Sequence, residues 1–355
     1  MKFTEYMSFY KPKINDAIAL IYNRNLKEEK NSFLKVYYSE LRDYFLAGGK
    51  RIRPLLCIAT YNAFNEKQND DIIFPSVGVE FLHNASLVHD DIIDKDNFRR
   101  GKPAFHYRFR QFHVENSLKK IAAEDYGNSI GIIGGDSAFF LGLEAFFLNN
   151  FDNNLNLRAI QYYERAFIEI ANGVLIEIDM VNKKNLKMED YIHMVSLKTG
   201  ALLEKSILIG ANYAKVEEKY KSYLSIYGKN LGIIFQIIDD ILGTFGDETA
   251  TGKPTDGDIR EAKKTCLLVE ANHILEGNDK IRLNELIENI NITQDEVQEV
   301  RELFLKAEVI NRSKKLADTY YKEAQIALEK LKPVIHNSEL EFYENLLKFV
   351  LERKF

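Results

Sequence analysis

Apolar residues along this chain fall mainly in amphipathic runs, and few β-branched alternating runs occur. Six prolines interrupt 355 residues. This pattern predicts an all-helical protein, because a helix repeats its face about every 3.6 residues and excludes proline from its interior. The predicted helices cover the first two dozen residues, Asn31–Leu46, a segment ending at Phe64, a segment from about Ser76, Ile130–Leu148, Arg158–Met180, Tyr191–Ala214 and Asn278–Glu329.

Turn residues separate these helices. Gly48-Gly49 follows Leu46 as the C-terminal signal of a helix. Lys198-Thr199-Gly200 falls inside a predicted helix, where glycine and the threonine hydroxyl weaken the backbone ladder and predict a kink that aims Lys198 and Thr199 into a cavity. Residues 104–127 are basic and aromatic, then charged, which predicts an exposed lid or a short extra helix. No repeat or linker divides the chain, so we expect one domain over residues 1–355.

The composition is that of a soluble globular protein, with 46% hydrophobic and 28% charged residues. The net charge of −5 is spread along the chain, which argues against nucleic acid as the main ligand. Cys57 and Cys266 lie in apolar contexts without metal-type spacing, as in a reducing compartment. There is no signal-peptide layout and no apolar run of about 18 residues, so we expect a cytoplasmic protein without a membrane span.

An acidic cluster interrupts an apolar segment at Asp90, Asp91 and Asp94. Positions i and i+4 share a helix face, so Asp90 and Asp94 project together with Asp91 beside them. Carboxylates this close repel unless a cation lies between them, and hard oxygen ligands suit Mg²⁺. Arg99-Arg100-Gly101-Lys102 follows and suits phosphate oxygens. The alternative is a solvated acidic helix end followed by a basic loop.

A second aspartate pair, Asp239-Asp240, lies in another strongly apolar run, 149 residues after Asp90. Two acid pairs on different helices can face each other across a helical bundle and hold several divalent ions. Three cations, Lys50, Arg51 and Arg53, adjoin the Gly48-Gly49 turn and predict a phosphate site, since a basic helix start opposes the helix dipole. His83 lies two turns before Asp90, either as a core histidine or as part of the site.

In this order the motifs resemble those of the trans-polyprenyl diphosphate synthases, the family of farnesyl and geranylgeranyl diphosphate synthases, from Gly48 to about Thr265. The resemblance implies an all-α isoprenoid synthase bundle around a large central cavity, two to three Mg²⁺ ions and a homodimer. Residues matching the family's motifs would bind isopentenyl diphosphate (Lys50, Arg53, His83, Arg100) and the allylic diphosphate (Arg99, Lys198, Thr199, Gln236, Lys253). The metal ligands would be Asp90, Asp91, Asp94 and Asp239. These four aspartates would act in catalysis together with Lys198, Thr199 and Asp240.

The reaction that the resemblance implies is prenyl transfer. An allylic carbocation forms in a dry apolar cavity, and the double bond of isopentenyl diphosphate attacks it. Loss of a proton to the released diphosphate then gives a trans double bond, and Lys198 with the Thr199 carbonyl would stabilise the cation. The partners implied are isopentenyl diphosphate and an allylic starter: dimethylallyl, geranyl or farnesyl diphosphate.

Two departures from the family pattern are visible. Gly243 stands where the second motif often ends in aspartate, a variant common in archaeal-type members. Gly173-Val174-Leu175-Ile176-Glu177 stands where many members read Gly-Gln-x-x-Asp, which removes a glutamine but keeps a carboxylate at Glu177.

Product length in this family depends on the residues four and five before the first motif. Here they are Ser86 and Ala85, both small, and Leu82 is the next candidate plug one turn deeper. This favours geranylgeranyl diphosphate over a farnesyl end point and leaves longer products as the alternative. Another helix or a dimer partner can also supply the floor.

Three rival interpretations fit the sequence less well. A class I terpene cyclase needs an Asn/Asp, Ser/Thr and Glu series that the Asp239 region lacks, and it has no use for Lys50 and Arg53. A histidine–aspartate phosphohydrolase needs further histidines at suitable spacing. A catalytically silent regulatory subunit of a heteromeric synthase usually loses motif aspartates, whereas the first motif here is whole.

Overall fold

The computed structural model describes residues 2–246 and 255–353. These residues form helices, short turns and one antiparallel hairpin of strands Phe98–Arg99 and Lys102–Pro103, which confirms the all-α prediction. The helices in chain order are α1 (Phe3–Glu28), α2 (Ser32–Leu46), α3 (Ile52–Ala63), α4 (Ile73–Ile93), α5 (Phe105–Glu115), α6 (Ala123–Glu144), α7 (Asn153–Met180), α8 (Met188–Val195), α9 (Ala201–Tyr213), α10 (Glu218–Phe245), α11 (Gly257–Arg260), α12 (Cys266–Ile274), α13 (Gly277–Glu288), α14 (Gln294–Lys306), α15 (Val309–Leu331) and α16 (Asn337–Leu351). Short 3₁₀ turns cover Asp70–Ile72 and Ala145–Phe147, and a π-helical turn covers Ser196–Gly200.

The chain divides into two compact units, and the first comprises Met1–Glu164 and Ser206–Val216. Helix α4 lies at its centre and packs against α1, α3 and α6. The fully buried Phe81 ring of α4 contacts Tyr22 and Phe45, with ring centroids 5.3 and 5.0 Å away. This packing fixes the C-terminal end of α4, where the first aspartate motif lies.

The second unit comprises Arg165–Lys205 and Glu217–Phe355. Helix α10 lies at its centre and packs against α15, α16 and the π-helical turn. The buried Tyr227 hydroxyl of α10 donates to the Tyr343 carbonyl of α16 at 2.9 Å. The apolar run around the second aspartate pair therefore forms a core helix of this unit.

Several helix ends match the sequence signals. The Asn31 side chain caps α2 by accepting from the amides of Phe33 and Leu34, and Thr265 caps α12 through the Leu268 amide. Helix α4 begins at Ile73 rather than near Ser76. The charged stretch predicted as helical over Asn278–Glu329 consists of three helices, α13 to α15.

Residues 104–127 differ from an exposed lid. They contain the short helix α5, the second of the two predicted alternatives, but one face of it is buried. Phe105, His106, Phe109 and His113 form this face at helical spacing and pack towards α6. The two arginines lie on the remaining faces, where Arg108 binds Glu40 at 3.0 Å, whereas the two histidines belong to the buried face.

Candidate active site

A glycine turn places the first basic motif. Gly48 and Gly49 have φ values of +99° and +97°, a region that glycine alone enters without strain. The turn ends α2 and leads into α3. Arg51, the N-terminal cap of α3, is buried and ion-paired to Glu80 at 2.7 Å, and it also donates to the Phe45 carbonyl. Arg51 therefore serves the packing of the first unit, whereas its neighbours remain candidates for ligand binding.

Arg53, His83 and Arg100 form a cluster of basic side chains in the first unit. The Nε atom of Arg53 is buried and has no hydrogen-bond partner. Burial lowers the pKa of Arg53 to about 10, and the Arg100 charge adds to this effect. Burial also holds the pKa of His83 well below its usual value, with contributions from Arg53 and Arg100. Among the described residues neither arginine forms an ion pair with a carboxylate, so the cluster suits an anion with several oxygens.

Arg100 reaches this cluster across the glycine turn. Its guanidinium lies over Gly49, where a Cβ would come within 3.3 Å of Cζ, and its Nη1 lies 3.4 Å from the Gly48 carbonyl. The turn therefore needs glycine both for its backbone conformation and for the space that Arg100 occupies. Lys50, which follows the turn directly, completes the set of basic residues predicted for isopentenyl diphosphate.

The first aspartate motif divides into two kinds of side chain. Asp90 and Asp94 are partly exposed and lie one turn apart at the end of α4. Asp91 is fully buried, and it accepts hydrogen bonds from the Tyr44 hydroxyl at 2.8 Å and from Nε of Arg99. Burial raises the pKa of Asp91 to about 6, against the attraction of Arg99. Through these hydrogen bonds Asp91 positions Arg99; its role as a metal ligand stays a prediction.

The donor set fits Mg²⁺. Within the described parts of the chain no three histidine, cysteine or acidic side chains converge on one point. Mg²⁺ commonly takes only one or two protein carboxylates and completes its shell with water and substrate phosphates. Asp90 and Asp94, spaced i and i+4 on one face, provide such a partial set.

In the second unit the Lys-Thr-Gly motif forms the π-helical turn between α8 and α9. The predicted irregularity is therefore confirmed, since a π turn widens the helix and re-aims its side chains. Nζ of Lys198 donates to Oε2 of Glu177, the carboxylate retained in the altered motif. Gly173 lets α7 approach this closely, because a Cβ there would lie 2.4 Å from the Lys198 backbone nitrogen.

A hydrogen-bond chain links the π-helical turn to the second aspartate motif. The Thr199 hydroxyl donates to Oε1 of Gln236 at 2.9 Å, and Nε2 of Gln236 donates to Oδ1 of Asp240 at 2.9 Å. The other oxygen of Asp240 accepts from the Tyr191 hydroxyl at 2.7 Å and from the Cys266 amide at 3.0 Å. Burial raises the pKa of Asp240 to about 7. Asp240 thus connects Gln236, Tyr191 and the start of α12 through hydrogen bonds.

Asp239 is presented differently. Its side chain is 46% exposed, and Oδ1 accepts from Nη1 of Arg353 at 3.2 Å. The Arg353 guanidinium lies over the Phe235 ring, 4.9 Å from its centroid. Asp239 is therefore the acid of the second pair that a bound ion can reach.

Sequence reasoning missed Asp258 on α11. A Cβ placed on Gly243 would lie 3.0 Å from Oδ2 of Asp258, so this carboxylate fills the space beside the position where the motif lacks its last aspartate. In the sequence Asp256-Gly257-Asp258 indicates only a turn and gives no hint of the partner on α10. Lys253, predicted as a phosphate ligand, lies outside the described residues.

The chain-length residues lie on α4. Leu82 and Ala85 are fully buried, and Ser86 is partly exposed with its hydroxyl donating to the His83 carbonyl at 2.8 Å. Leu82, Ser86 and Asp90 follow one another at i+4 spacing. Ser86 therefore lies about 6 Å from Asp90 along the same helix face.

Helix α6 exposes an apolar face. Ile132, Ile133 and Phe140 are 49%, 58% and 75% exposed, and Phe147, in the next turn, is 63% exposed. By length and composition the segment Ala123–Phe147 is the one described helical stretch able to cross a membrane. A single such helix is weak evidence for a membrane span, and exposed apolar patches of this kind also mark protein interfaces.

Comparison with known proteins gives one consistent result. The family model described as "Polyprenyl synthetase" matches residues 35–304. The chain is 33% identical over 291 residues to a short chain isoprenyl diphosphate synthase of Methanocaldococcus jannaschii, covering 80% of this chain and 83% of that protein.

Two solved structures agree with this result over nearly their whole length. A geranylgeranyl pyrophosphate synthetase from Pyrococcus horikoshii matches with a TM-score of 0.82 and 30% identity, covering all of both chains. A polyprenyl synthase from Caulobacter crescentus, solved with calcium and isoprenyl diphosphate, matches with a TM-score of 0.82 and 25% identity, covering 100% of this chain and 98% of that one.

Proposed function

The chain belongs to the polyprenyl synthetase family and is a trans-prenyltransferase, and we propose on that basis that it condenses isopentenyl diphosphate with an allylic diphosphate to make geranylgeranyl diphosphate. The observation that carries the proposal is the cluster of Arg53, His83 and Arg100, which holds a buried guanidinium nitrogen without a partner. Such a cluster is costly in a free protein and becomes favourable when a diphosphate supplies its oxygens.

We assign Arg53, Arg100, His83 and Lys50 to the isopentenyl diphosphate. The lowered pKa of His83 keeps its ring neutral near pH 7, so it donates a hydrogen bond to phosphate without adding to the charge. Arg100 and Arg53 supply the charge, and the glycine turn brings Arg100 beside the motif. Both arginines can grip neighbouring phosphate oxygens with their planar donors.

We assign Asp90, Asp94 and Asp239 to two or three Mg²⁺ ions and the allylic diphosphate to Arg99, Lys198, Thr199 and Gln236. Bound Mg²⁺ offsets the charge that develops on the departing diphosphate. The calcium and isoprenyl diphosphate of the Caulobacter structure support the use of a divalent ion. Asp91 and Asp240 fix Arg99 and Gln236 in place through the hydrogen bonds described above. The sequence match at Lys253 supports a further phosphate contact.

The proposed reaction breaks the bond between the allylic C1 and its diphosphate oxygen. The double bond of isopentenyl diphosphate attacks C1, and the released diphosphate takes the proton that leaves the new cation. Lys198, paired with Glu177, provides positive charge beside the departing group. The Thr199 side chain is held by Gln236, and we propose that the backbone carbonyl dipole of Thr199 stabilises the allylic cation.

The proposed product is the C20 diphosphate. Small Ser86 and Ala85 leave the prenyl tail free to pass, and fully buried Leu82 is the proposed stop. The similarity to the geranylgeranyl pyrophosphate synthetase of Pyrococcus horikoshii supports this choice. The second candidate is a C25 or longer product, favoured by the same small residues. We expect Ser86→Phe to shorten the main product by at least one isoprene unit.

We further propose a homodimer in the cytoplasm. The exposed apolar face of α6 supports self-association, because such faces mark protein interfaces. A dimer is the proposed form, since closed two-fold dimers are the commonest oligomers. Two buried free cysteines, Cys57 and Cys266, support a reducing compartment.

The test is incubation of purified protein with Mg²⁺, isopentenyl diphosphate and farnesyl diphosphate, followed by chromatography of the dephosphorylated products. A C20 alcohol as main product supports the proposal, and C25 or longer alcohols support the second candidate. The matched controls are Asp90→Asn, expected to abolish transfer, and Asp70→Asn, an exposed acid paired with Lys13, expected to leave it unchanged. A folded, metal-supplied wild type that elongates no allylic starter would reject the synthase and favour a silent regulatory subunit.

A further inference from the structure

The second unit contains a groove that none of the residues assigned to prenyl transfer lines. Its walls are the connection between α7 and α8, the segment from α11 to α12, and helix α13 with the residues after it. It consists of two basins of about 530 and 450 Å³, which share Leu186, Asn272 and Asn284 as lining residues. Each volume lies in the range of small-molecule sites, about 300–1,000 Å³.

Cationic side chains dominate this groove, although the whole chain has a net charge of −5. They are Lys183, Lys184, Lys187, Arg260, Lys264 and Lys280. Two acids, Glu261 and Glu288, also line the groove, but both are neutralised by lysines. Glu288 pairs with Lys184 at 2.8 Å, and Glu261 pairs with Lys263 at 2.8 Å. The groove therefore keeps an excess of positive charge, and a cleft focuses such a field on an anion.

Three of these cations are not compensated by the protein. Among the described residues, Lys187, Lys264 and Lys280 form no ion pair with a carboxylate. Lys264 is also half-buried. Burial lowers the pKa of Lys264, and the charge of Glu288 raises it. A cation withdrawn from water without a counter-charge is unfavourable, so an anion that reaches Lys264 would be bound favourably.

Apolar side chains provide the floor and part of the rim of the groove. Leu268 of α12 and Ile287 of α13 are buried and line it from below. Ile290, which follows α13, lines the same basin and is 93% exposed. Covering this side chain with the apolar face of a ligand would remove a large apolar surface from water. The groove thus suits an anion that also has an apolar body.

Two asparagines indicate what kind of body this is. The side-chain amide nitrogens of Asn272 and Asn284 donate to the carbonyls of Leu268 and Lys280, at 3.2 and 2.8 Å. Their Oδ1 atoms accept from no described residue, so they can accept from N–H or O–H groups of a ligand. A plain hydrocarbon would cover these oxygens without offering a donor, which is unfavourable. A nucleoside has an apolar ring face together with amino and hydroxyl donors.

We propose that this groove binds a nucleoside phosphate, with its phosphate groups on Lys187, Lys264 and Lys280 and its base against Ile290. The lysines supply the charge that the phosphates need. The asparagine oxygens accept from the amino or hydroxyl groups of the nucleoside. The ligand would lie against the α11–α12 segment, whose other contacts are with α10.

The test is isothermal titration calorimetry of the full-length protein with ADP in EDTA, which removes metal-mediated binding of phosphate. The groove variants are Lys264→Met and Ile290→Ser. Lys219→Met is the charge control, because this exposed lysine of the same unit lies outside the groove and pairs with Glu217 at 2.9 Å. Arg53→Met is the control for ADP binding in the basic cluster of the candidate active site. Thermal unfolding confirms that each variant is folded, and Lys264→Gln replaces Lys264→Met if the latter is not.

Loss of a charge-assisted hydrogen bond typically weakens binding about ten-fold or more. We expect that loss of ADP affinity in Lys264→Met, a loss of about three-fold or more in Ile290→Ser, and wild-type affinity in both controls. The site would be rejected if folded wild type bound no ADP at millimolar concentration, or if Lys264→Met and Lys219→Met weakened binding equally. A loss in Arg53→Met with none in Lys264→Met would place ADP in the active site and also reject the proposal. A loss in Lys264→Met with unchanged affinity in Ile290→Ser would overturn the nucleoside assignment, because the groove would then bind phosphate alone.

Discussion

At the scale of single residues, each aspartate pair consists of one buried acid and one partly exposed acid. The second member is buried and accepts a hydrogen bond from a tyrosine: Asp91 from Tyr44, and Asp240 from Tyr191. The first member stays partly exposed. One acid of each pair therefore holds the local structure, and the other is more accessible to a ligand.

The stability of the metal-free protein should depend on the protonation of Asp240. Burial raises its folded-state pKa to about 7, above the ordinary value of 3.8. The folded state then binds the proton more tightly, so the stabilisation is complete below pH about 4 and is lost as the pH rises towards 7. The difference between these two pKa values corresponds to roughly 4 kcal/mol of unfolding free energy over the full range. Denaturant unfolding in EDTA measures the free energy of unfolding at pH 5 and at pH 8. From pH 5 to pH 8 this free energy should fall more for the wild type than for Asp240→Asn. Equal decreases would contradict the assignment.

Arg53 of the basic cluster should favour ligand binding without adding to the stability of the free protein. Arg53→Met removes a buried cation without a carboxylate partner, so we expect unchanged or higher stability, by up to about 1 kcal/mol. The same change should raise the KM for isopentenyl diphosphate at least ten-fold and alter the allylic KM little, since a charged hydrogen bond is worth about 1.5–3 kcal/mol. Steady-state kinetics and denaturant unfolding measure both effects.

Arg51→Met is the matched control for this prediction. It breaks the buried ion pair with Glu80 and should cost about 3–5 kcal/mol of stability. Equal destabilisation by both substitutions would mean that Arg53 serves packing, like its neighbour.

At the scale of elements, the π-helical turn depends on a close approach by α7. Gly173 packs on the backbone of Lys198, and the carboxylate that binds this lysine lies one turn further along α7, at Glu177. Position 173 therefore sets the distance between α7 and the turn. A methyl group there has no room unless the two elements separate.

Gly173→Ala should displace the π-helical turn. We expect a loss of about 1–3 kcal/mol of stability from overpacking, together with a higher KM for the allylic diphosphate, because Lys198 moves with the turn. Gly257→Ala is the control, since nothing lies within 4 Å of a Cβ at that position. Thermal unfolding and steady-state kinetics compare the two. A normal allylic KM in Gly173→Ala would show that the turn tolerates the separation.

The helices themselves were largely predictable, because apolar periodicity and turn residues are local signals. Gly48-Gly49 marked the end of α2, and Lys198-Thr199-Gly200 marked the π-helical turn. The buried face of α5 was missed because its basic residues dominate the composition. Asp258 was missed for a different reason. Its partner Gly243 lies on another element, and a contact between elements leaves no trace in the spacing of either one.

At the scale of the whole molecule, the apolar face of α6 is the feature that the single chain leaves unexplained. Ile132, Ile133 and Phe140 are about half exposed or more, on a helix whose other side packs on α4 and α5. Exposing large apolar side chains in a row is unfavourable in water and invites a partner. A second copy of the chain is the proposed partner, since it offers the same face in return.

A single charge should disrupt this association. We expect the wild type to sediment as a dimer, and Phe140→Asp to sediment mainly as a monomer, because burying an unpaired carboxylate at an apolar interface is strongly unfavourable. The matched control is Ile290→Asp, which places the same charge at an apolar side chain that is 93% exposed in the second unit. Sedimentation velocity over a range of concentrations distinguishes the species. A monomeric wild type, or a dimer that survives Phe140→Asp as well as it survives Ile290→Asp, would exclude α6 as the interface.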